Sequence, residues 1–175
     1  MITGPQGSGK TTQAKALAKK LGLCLIEVGA MLRERVKKGD PWSLEVRKTL
    51  DEGQLMDDQL VSRLVKKRIS ESDCQQGFVS DGYPRTFSQH LECDAGFDKV
   101  LYLKISDEEA IKRLLKRGRE DDNLPAIEKR LTWYHEETKP LLDYYQDLGI
   151  LVTINGERPI KEVAKEIEGY FKDQP

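Results

Sequence analysis

The residues best suited to chemistry lie at the start of the chain, where positions 4 to 11 follow the pattern G-x-x-x-x-G-K-T. Glycines at 4, 7 and 9 allow backbone conformations that side chains forbid, so successive N–H groups can converge on phosphate oxygens. Lys10 can then reach the β- and γ-phosphates of a nucleoside triphosphate, and the Thr11 hydroxyl can bind Mg²⁺. The pattern predicts a nucleotide-binding loop formed by Gly4, Gly7, Ser8, Gly9, Lys10, Thr11 and Thr12.

A helical pattern follows this loop directly, in the stretch KTTQAKALAKKLG that ends at Gly22. The positive N-terminal end of such a helix points at the same anion as the loop. Only three residues precede the loop, whereas a phosphate loop normally follows a strand of about five residues. We expect either an unusually short first strand or a natural start that lies upstream.

A second group of candidate residues follows the apolar run GFVSD at 77–81. Asp81 ends this predicted strand, where a carboxylate can organise Mg²⁺ through water beside a phosphate loop. Arg85 comes four residues later in DGYPR, and ligands of open α/β sheets bind at the carboxyl ends of strands. Asp81 is therefore expected beside the phosphate loop, and Arg85 at the ligand-binding edge of the same sheet.

Four more arginines occur between positions 113 and 130. Arg113 and Arg117 share one helix face, a like-charge pairing that costs ~0.2 to 0.5 kcal/mol unless an anion lies near them. Arg119 lies in the polar stretch KRGREDDNLP, and Arg130 is expected to start the next helix. Guanidinium groups can bind a transferring phosphoryl group bidentately. An ordinary solvated helix face, and for Arg130 an ion pair with a nearby acid, are the alternatives.

The intervening sequence predicts an α/β fold. Short apolar runs at 24–28, 77–81, 99–105 and 150–154 alternate with helical patterns, which favours βαβ crossovers and a parallel sheet covered by helices on both faces. Helices are expected at 30–37, 41–51 and 58–70, with Asp40 as the cap of the middle one. These are too many residues for one crossover, so part of them should protrude, and 116–125 has the composition of a short mobile lid.

Size and composition limit the remaining possibilities. The chain has 175 residues, enough for one compact domain, and its 29 Lys and Arg nearly balance its 30 Asp and Glu, which gives no general electrostatic case for nucleic acid or membrane binding. There is no apolar run of about 18 residues and no leader of the signal-peptide type, so a cytoplasmic monomer is expected. Cys24, Cys74 and Cys93 are far apart, which favours reduced thiols and no structural zinc.

Several motifs together resemble those of adenylate kinases and related nucleoside monophosphate (NMP) kinases, in the same order along nearly the whole chain: GPQGSGKTTQ, VGAMLR, EGQLM, GFVSDGYPRTFSQ, RLLKRGREDDN and EKRLTWYHEETKPLLDYYQ. The resemblance implies a P-loop fold with a five-stranded parallel sheet, a core of residues 1–27, 58–116 and 124–175, an NMP-binding subdomain at 28–57 and a lid at 117–123. It also implies Mg²⁺-dependent transfer of a phosphoryl group from ATP to AMP, giving two ADP.

The resemblance also implies a role for each matching residue. Arg113 would stack on the ATP adenine, and Arg33 and Arg85 would bind the AMP phosphate. Gln89 would contact the acceptor base, and Asp81 would order a magnesium-bound water. Asp121 and Asp122 would engage the lid arginines on closure. The implied catalytic residues are Lys10, Arg85, Arg117, Arg119 and Arg130, and the implied AMP-binding residues are Val28, Gly29, Arg33, Gln54, Met56, Gly82, Arg85, Gln89, Arg119 and Arg130.

Two features depart from the relatives, one in the acceptor pocket and one in the lid. Val28 and Ala30 stand where a threonine and an aspartate are usual, and the lid is so short that modest closure is expected. The Gln89 amide could rotate to face guanine as well as adenine, so imperfect base selectivity is expected. No general base is required, which favours surface roles for His90 and His135, and the helical pattern around Trp133 favours a packing role.

Two other functions remain open at this stage. One is a pyrimidine or broad-specificity nucleoside monophosphate kinase, because such relatives also have short lids, although Gln89 disfavours it. The other is a P-loop assembly ATPase that binds a protein or RNA partner, which the retained acceptor arginines Arg33 and Arg85 disfavour.

Overall fold

A computed structural model describes residues 1–37, 39, 41–52, 56–119 and 122–171. The predictions for Asp40, Gln54 and Asp121 lie outside these described residues. Within them, no helix combines the length and the apolar character needed to cross a membrane.

The centre of the molecule is a five-stranded sheet in the order β2-β3-β1-β4-β5. Every neighbouring pair is parallel, as expected from the alternation of apolar runs and helical patterns. The expected α/β fold is confirmed, with each strand boundary within one residue of the predicted one. The strands are β1 (Ile2–Thr3), β2 (Cys24–Glu27), β3 (Phe78–Asp81), β4 (Val100–Lys104) and β5 (Leu151–Asn155).

Helices connect and cover these strands. They are α1 (Lys10–Leu21), α2 (Val28–Val36), α3 (Pro41–Asp51), α4 (Asp58–Ile69), α5 (Phe87–Glu92), α6 (Asp107–Arg117), α7 (Leu124–Trp133), α8 (Lys139–Asp147) and α9 (Ile160–Gly169). A π-helical turn, Tyr134–Thr138, joins α7 to α8.

The prediction that Arg130 starts a helix is wrong. Helix α7 begins earlier, at Leu124, because the Asn123 side chain accepts a hydrogen bond from the Ala126 N–H at 3.0 Å. A capping side chain of this type satisfies one of the unpaired N–H groups of the first turn. Arg130 consequently lies in the last turn of α7, where its side chain is buried.

The first strand has only two residues, yet it lies at the centre of the core. Ile2 is fully buried and pairs with Asp81 on one side and Leu101 on the other. It packs in one cluster with residues of α1 and α9, including Leu17 and Ile167. Two residues are enough here because strands on both sides satisfy the backbone groups.

A second cluster lies at the β2 edge of the sheet and includes Ile26, Leu32, Val46 and Val65. These residues belong to β2, α2, α3 and α4, so the helices between the second and third strands pack on this edge. The division of the chain into core, NMP-binding subdomain and lid stays a prediction.

The expectation of three reduced thiols is wrong for two of the cysteines. Cys24 and Cys74 form a disulfide across a sequence separation of 50, with their Cα atoms 5.1 Å apart, whereas Cys93 is free and buried. The pairing of Cys24 with Phe78 brings the start of β2 beside the turn before β3, which explains how distant cysteines meet.

The two histidines differ in their surroundings. The predicted surface position is confirmed for His135, which is exposed and lies 2.9 Å from the Asp107 carboxylate. It is wrong for His90, which is 7% exposed and packs against the rings of Phe87, Tyr144 and Tyr145. Helix α5 turns His90 toward this aromatic cluster. A helix of six residues is too short for its sequence periodicity to indicate which face is buried.

Candidate active site

The glycine-rich loop connects β1 to α1 at the carboxyl edge of the sheet. Gly4 has a φ of 146°, and a Cβ atom there would lie 2.6 Å from the carbonyl oxygen of Leu103. Gly9 is left-handed and leads into α1, whose N-terminal end carries positive partial charge. The Lys10 ammonium bends back over the loop and donates to the Pro5 carbonyl at 3.0 Å. The loop therefore has the shape and polarity of an anion site.

Positive charge converges on this loop. Burial is the main cause that lowers the Lys10 pKa to about 8, and the nearby cations Arg85 and Arg117 lower it further against the opposing effect of Asp81. Burial also lowers the Arg85 pKa, and Arg130 and Arg33 add to that effect. Since crowded cations disfavour one another, a polyphosphate would relieve the repulsion on binding.

Oxygen ligands for a cation lie beside the loop. The Thr11 hydroxyl donates to Asp81 Oδ2 at 2.5 Å, because the pairing of Ile2 with Asp81 sets the end of β3 next to the start of α1. Asp81 is 5% exposed, and its Oδ1 atom has no hydrogen-bond partner among the described residues. Hydroxyl and carboxylate oxygens are the ligands that Mg²⁺ prefers, so these residues fit the ion.

Three of the predicted phosphoryl-binding arginines gather around one buried carboxylate. Arg117 donates to Asp122 through Nε at 2.7 Å and Nη2 at 2.6 Å, the Arg119 backbone N–H donates at 3.2 Å, and Arg130 Nη1 lies 3.4 Å away. Burial favours the neutral acid, but the hydrogen bonds from Arg117 and Arg119 hold the Asp122 pKa below its usual value. Asp122 thus orients arginines that the sequence indicates for phosphoryl binding. The alternative prediction for Arg130, an ion pair with a nearby acid, is also confirmed.

Arg113 lies on the same helix but has different partners. It donates to Glu109 at 2.7 Å and to the Gly156 carbonyl at 2.9 Å. The like-charge pairing of Arg113 with Arg117 is therefore offset by two separate acids, Glu109 and Asp122, rather than by an anion between them.

On the opposite side of the loop, Glu27 holds Arg33. The carboxylate of Glu27 accepts from Arg33 Nη2 at 3.1 Å and lies 3.0 Å from the Lys15 ammonium. Its side chain is only 12% exposed, so these charges interact in a partly desolvated place. The sequence reasoning missed Glu27, although the signal was available: it ends the apolar strand CLIE as Asp81 ends FVSD.

Arg85 and Gly82 form the neighbouring part of the site. Arg85 Nε donates to the Gly82 carbonyl at 3.0 Å, and a Cβ atom on Gly82 would lie 3.4 Å from both Arg85 Nη2 and Lys10 Cε. Thr138, in the π-helical turn, donates its hydroxyl to the Arg85 carbonyl at 2.9 Å. Such turns often occur at functional sites, and this one fixes the backbone that carries Arg85.

Gln89 is 3% exposed, and its amide has a partner at each end. Its Nε2 donates to Asp58 Oδ1 at 2.7 Å, and its Oε1 accepts from the Arg85 N–H at 2.8 Å. The expectation that this amide could rotate to face guanine disagrees with these contacts, because rotation would place its oxygen against a carboxylate and its NH₂ group against an N–H donor. The expected imperfect base selectivity stays a prediction.

These groups share one cavity of about 470 Å³. Among the residues predicted from the sequence, its walls contain Gly7, Gly9, Lys10, Thr11, Thr12, Val28, Gly29, Arg33, Met56, Asp81, Gly82, Arg85, Gln89, Arg113, Arg117, Arg119 and Arg130. Gly4 and Ser8 are buried inside the loop behind the wall. Trp133 also lines the cavity, beyond the packing role expected for it.

The site combines phosphate-loop geometry, oxygen ligands for a cation and two further sets of arginines, all at the carboxyl edge of a parallel sheet. This combination defines a P-loop phosphotransferase. A protein-family model described as adenylate kinase matches residues 2–150. The chain belongs to the adenylate kinase family.

Individual relatives match over nearly their whole length. The chain is 41% identical to an adenylate kinase of Prochlorococcus marinus over 95% of this chain and 93% of the relative. It is 40% identical to an adenylate kinase of Pseudarthrobacter chlorophenolicus over 95% and 93% of the two chains. It is 38% identical to adenylate kinase 1 of a Nostoc species over 96% and 95%. The chain is thus an enzyme of the nucleoside monophosphate kinase class, and nothing in these matches favours the pyrimidine kinase or assembly ATPase alternatives.

Proposed function

We propose that this chain transfers the γ-phosphoryl group of ATP to AMP, reversibly and with Mg²⁺, to give two ADP. The observation that carries the proposal is one cavity with two groups of cations from different parts of the chain, which meet where Lys10 and Arg85 both approach Gly82. Lys10 and the N-terminus of α1 form the first group, and Arg33 and Arg85 form the second. Two anion sites in one cavity suit a donor and an acceptor nucleotide.

The donor nucleotide is assigned to the phosphate-loop side. Backbone N–H groups of the loop and the Lys10 ammonium would bind its β- and γ-phosphates. Arg113, fixed by Glu109 and Gly156, would stack on the adenine. Thr11 and Asp81 would hold Mg²⁺, which when bound neutralises part of the charge on the phosphate oxygens.

The acceptor is assigned to the side of Arg33, Arg85 and Gln89. The two guanidinium groups would bind the AMP phosphate, with Arg33 leaving the Glu27 carboxylate to do so. Gln89 would contact the base beside Val28 and Met56, which line the same wall.

Between binding and release, the lid arginines supply the charge that the reaction needs. Asp122 holds Arg117 and Arg130 at the cavity wall, from which their guanidinium groups would reach the transferring phosphoryl group. Phosphoryl transfer needs little proton chemistry, because positioning and charge neutralisation account for most of the rate. We expect the short lid, of which residues 120 and 121 are not described, to close only modestly.

The test is ADP formation from Mg-ATP, measured with AMP, with CMP, UMP or GMP, and with no acceptor. We expect two ADP for each AMP consumed and the highest kcat/KM with AMP. A higher kcat/KM with CMP or UMP would favour a pyrimidine kinase, and ATP consumption that does not depend on any monophosphate would favour an ATPase.

A further inference from the structure

Asp58 is the first residue of α4, where an acidic residue ordinarily serves the helix by its charge alone. Its two carboxylate oxygens instead reach across to α5 and the residue before it. Oδ1 accepts from the Gln89 side-chain amide at 2.7 Å, and Oδ2 accepts from the Thr86 hydroxyl at 2.8 Å. Asp58 therefore contacts a wall of the acceptor side without lining the cavity itself.

These contacts form a closed set. The Thr86 hydroxyl oxygen also accepts from the Gln89 backbone N–H at 3.0 Å, and the Gln89 Oε1 accepts from the Arg85 backbone N–H at 2.8 Å. Each amide end of Gln89 thus faces a group that only one orientation can satisfy: a carboxylate for the NH₂ group and an N–H donor for the oxygen. A turn of 180° would replace two hydrogen bonds with two repulsive contacts in a site where Gln89 is buried.

An amide held in this way keeps one N–H donor and one oxygen lone pair for a ligand, because each end has used half of its capacity. Adenine presents an amino donor beside a ring-nitrogen acceptor, which pairs with an amide in one orientation. Guanine presents a carbonyl acceptor beside a ring N–H donor, which needs the opposite orientation. Fixing the amide therefore turns an ambiguous side chain into a selective one.

We propose that Asp58 is a positioning residue that sets the base selectivity of the acceptor site, acting through the orientation of Gln89. The inference rests on the proposed role of Gln89 as the residue that contacts the AMP base. Asp58 touches neither nucleotide, so its effect is on the choice between purines rather than on the chemical step.

The matched control is the preceding residue. Asp57 is exposed and is the N-cap of α4, where it accepts a hydrogen bond from the Leu60 N–H at 2.8 Å. Among the described residues it makes no hydrogen bond to Gln89. Asp57→Ala should weaken the same end of the same helix without freeing the amide. A change caused by helix destabilisation would therefore appear in both variants.

The experiment measures kcat/KM for AMP and for GMP, with Mg-ATP as donor, in the unmodified chain, Asp58→Ala, Asp57→Ala, Gln89→Ala and the double variant Asp58→Ala with Gln89→Ala. We expect Asp58→Ala to lower the ratio of AMP to GMP about tenfold and Asp57→Ala to leave it unchanged. In the Gln89→Ala background, removing Asp58 should not change the ratio further, because its effect passes through that amide.

An unchanged ratio in Asp58→Ala, or an equal fall with and without Gln89, would overturn the inference. Should Asp58→Ala fail to fold, Asp58→Asn keeps the shape but can present either its oxygen or its NH₂ group to Gln89, so only the Arg85 N–H still fixes the amide. The ratio should therefore still fall, and an unchanged ratio there would overturn the inference equally. The unmodified chain provides the separate test of the proposed function: a lack of AMP-dependent ADP formation there would refute the kinase assignment whatever Asp58 does.

Discussion

The two sides of the cavity, for which we propose a donor role at the phosphate loop and an acceptor role at Arg33 and Gln89, are built on different principles. The donor side is shaped by backbone: glycines with positive φ and the N-terminus of α1 form the phosphate loop. The acceptor side is shaped by side chains that carboxylates hold, with Arg33 on Glu27 and Gln89 on Asp58. The loop conformation depends on several glycines and a helix N-terminus together, whereas the ion pair of Arg33 with Glu27 is lost with one substitution. Acceptor binding should therefore be easier to alter selectively than donor binding.

The largest effect is expected at Lys10. Lys10→Met removes the charge that lies nearest the phosphate loop, and removing one preorganised donor to developing charge commonly costs about 100- to 1,000-fold in kcat. The measurement is kcat for ADP formation from saturating ATP and AMP. Lys19→Met, an exposed lysine on the same helix, is the control. A Lys10→Met enzyme with more than about a tenth of the original kcat would contradict the assigned role.

The comparison itself is tested by one arginine from each side. Arg33→Ala should raise the KM for AMP by roughly 10- to 150-fold, because charge-assisted hydrogen bonds to phosphate contribute ~1.5 to 3 kcal/mol. Arg113→Ala should raise the KM for ATP several-fold through lost stacking, with little effect on AMP. Glu34→Ala on α2 and Lys112→Ala on α6 are exposed controls. If Arg33→Ala weakened ATP instead, the two nucleotide sites would be assigned in reverse.

The same contrast explains what the sequence could predict. The phosphate loop depends on glycine spacing and the next helix, which are local, so the sequence alone indicates each of its residues. The sheet follows equally well from alternating apolar runs and helical patterns. Asp58 contacts Gln89, which lies far along the chain, and Glu27 contacts Arg33 in the helix that follows it. As an acid in a first helix turn, Asp58 looks the same whether it binds Gln89 or only solvent.

The disulfide and the buried histidine were missed for a related reason. Cys24 and Cys74 approach each other only once β2 pairs with β3, and His90 is covered by tyrosines of α8. The spacing of residues along the sequence indicates neither the cysteine pairing nor the rings that cover His90. Contacts that depend on the arrangement of distant elements are the part of this fold that single-sequence patterns do not contain.

A smaller effect of opposite sign is expected at Glu27. The carboxylate competes with the acceptor phosphate for Arg33, so Glu27→Gln should lower the KM for AMP about fivefold by removing one repulsive charge from a partly desolvated site. The control is Glu34→Gln, which removes an exposed acid of α2 that is paired with Lys37. A rise in the KM for AMP would mean that Glu27 helps by presenting Arg33 in its binding position.

The smallest effect is expected at Val28, in the proposed acceptor wall, where the resemblance to adenylate kinases implies a threonine. Val28 is 6% exposed, lines the cavity and begins α2. A threonine of similar shape adds one hydroxyl, and a neutral hydrogen bond contributes on the order of 1 kcal/mol, or about fivefold in selectivity. Val28→Thr should therefore raise the preference for AMP over GMP, CMP and UMP in kcat/KM by up to about that factor. Val36→Thr makes the same change on the same helix at a partly buried position outside the cavity wall, so it reports any general effect of the substitution. Identical ratios in Val28→Thr and the unmodified enzyme would show that position 28 packs beside the base without selecting it, which would leave the Asp58-held amide as the main source of selectivity.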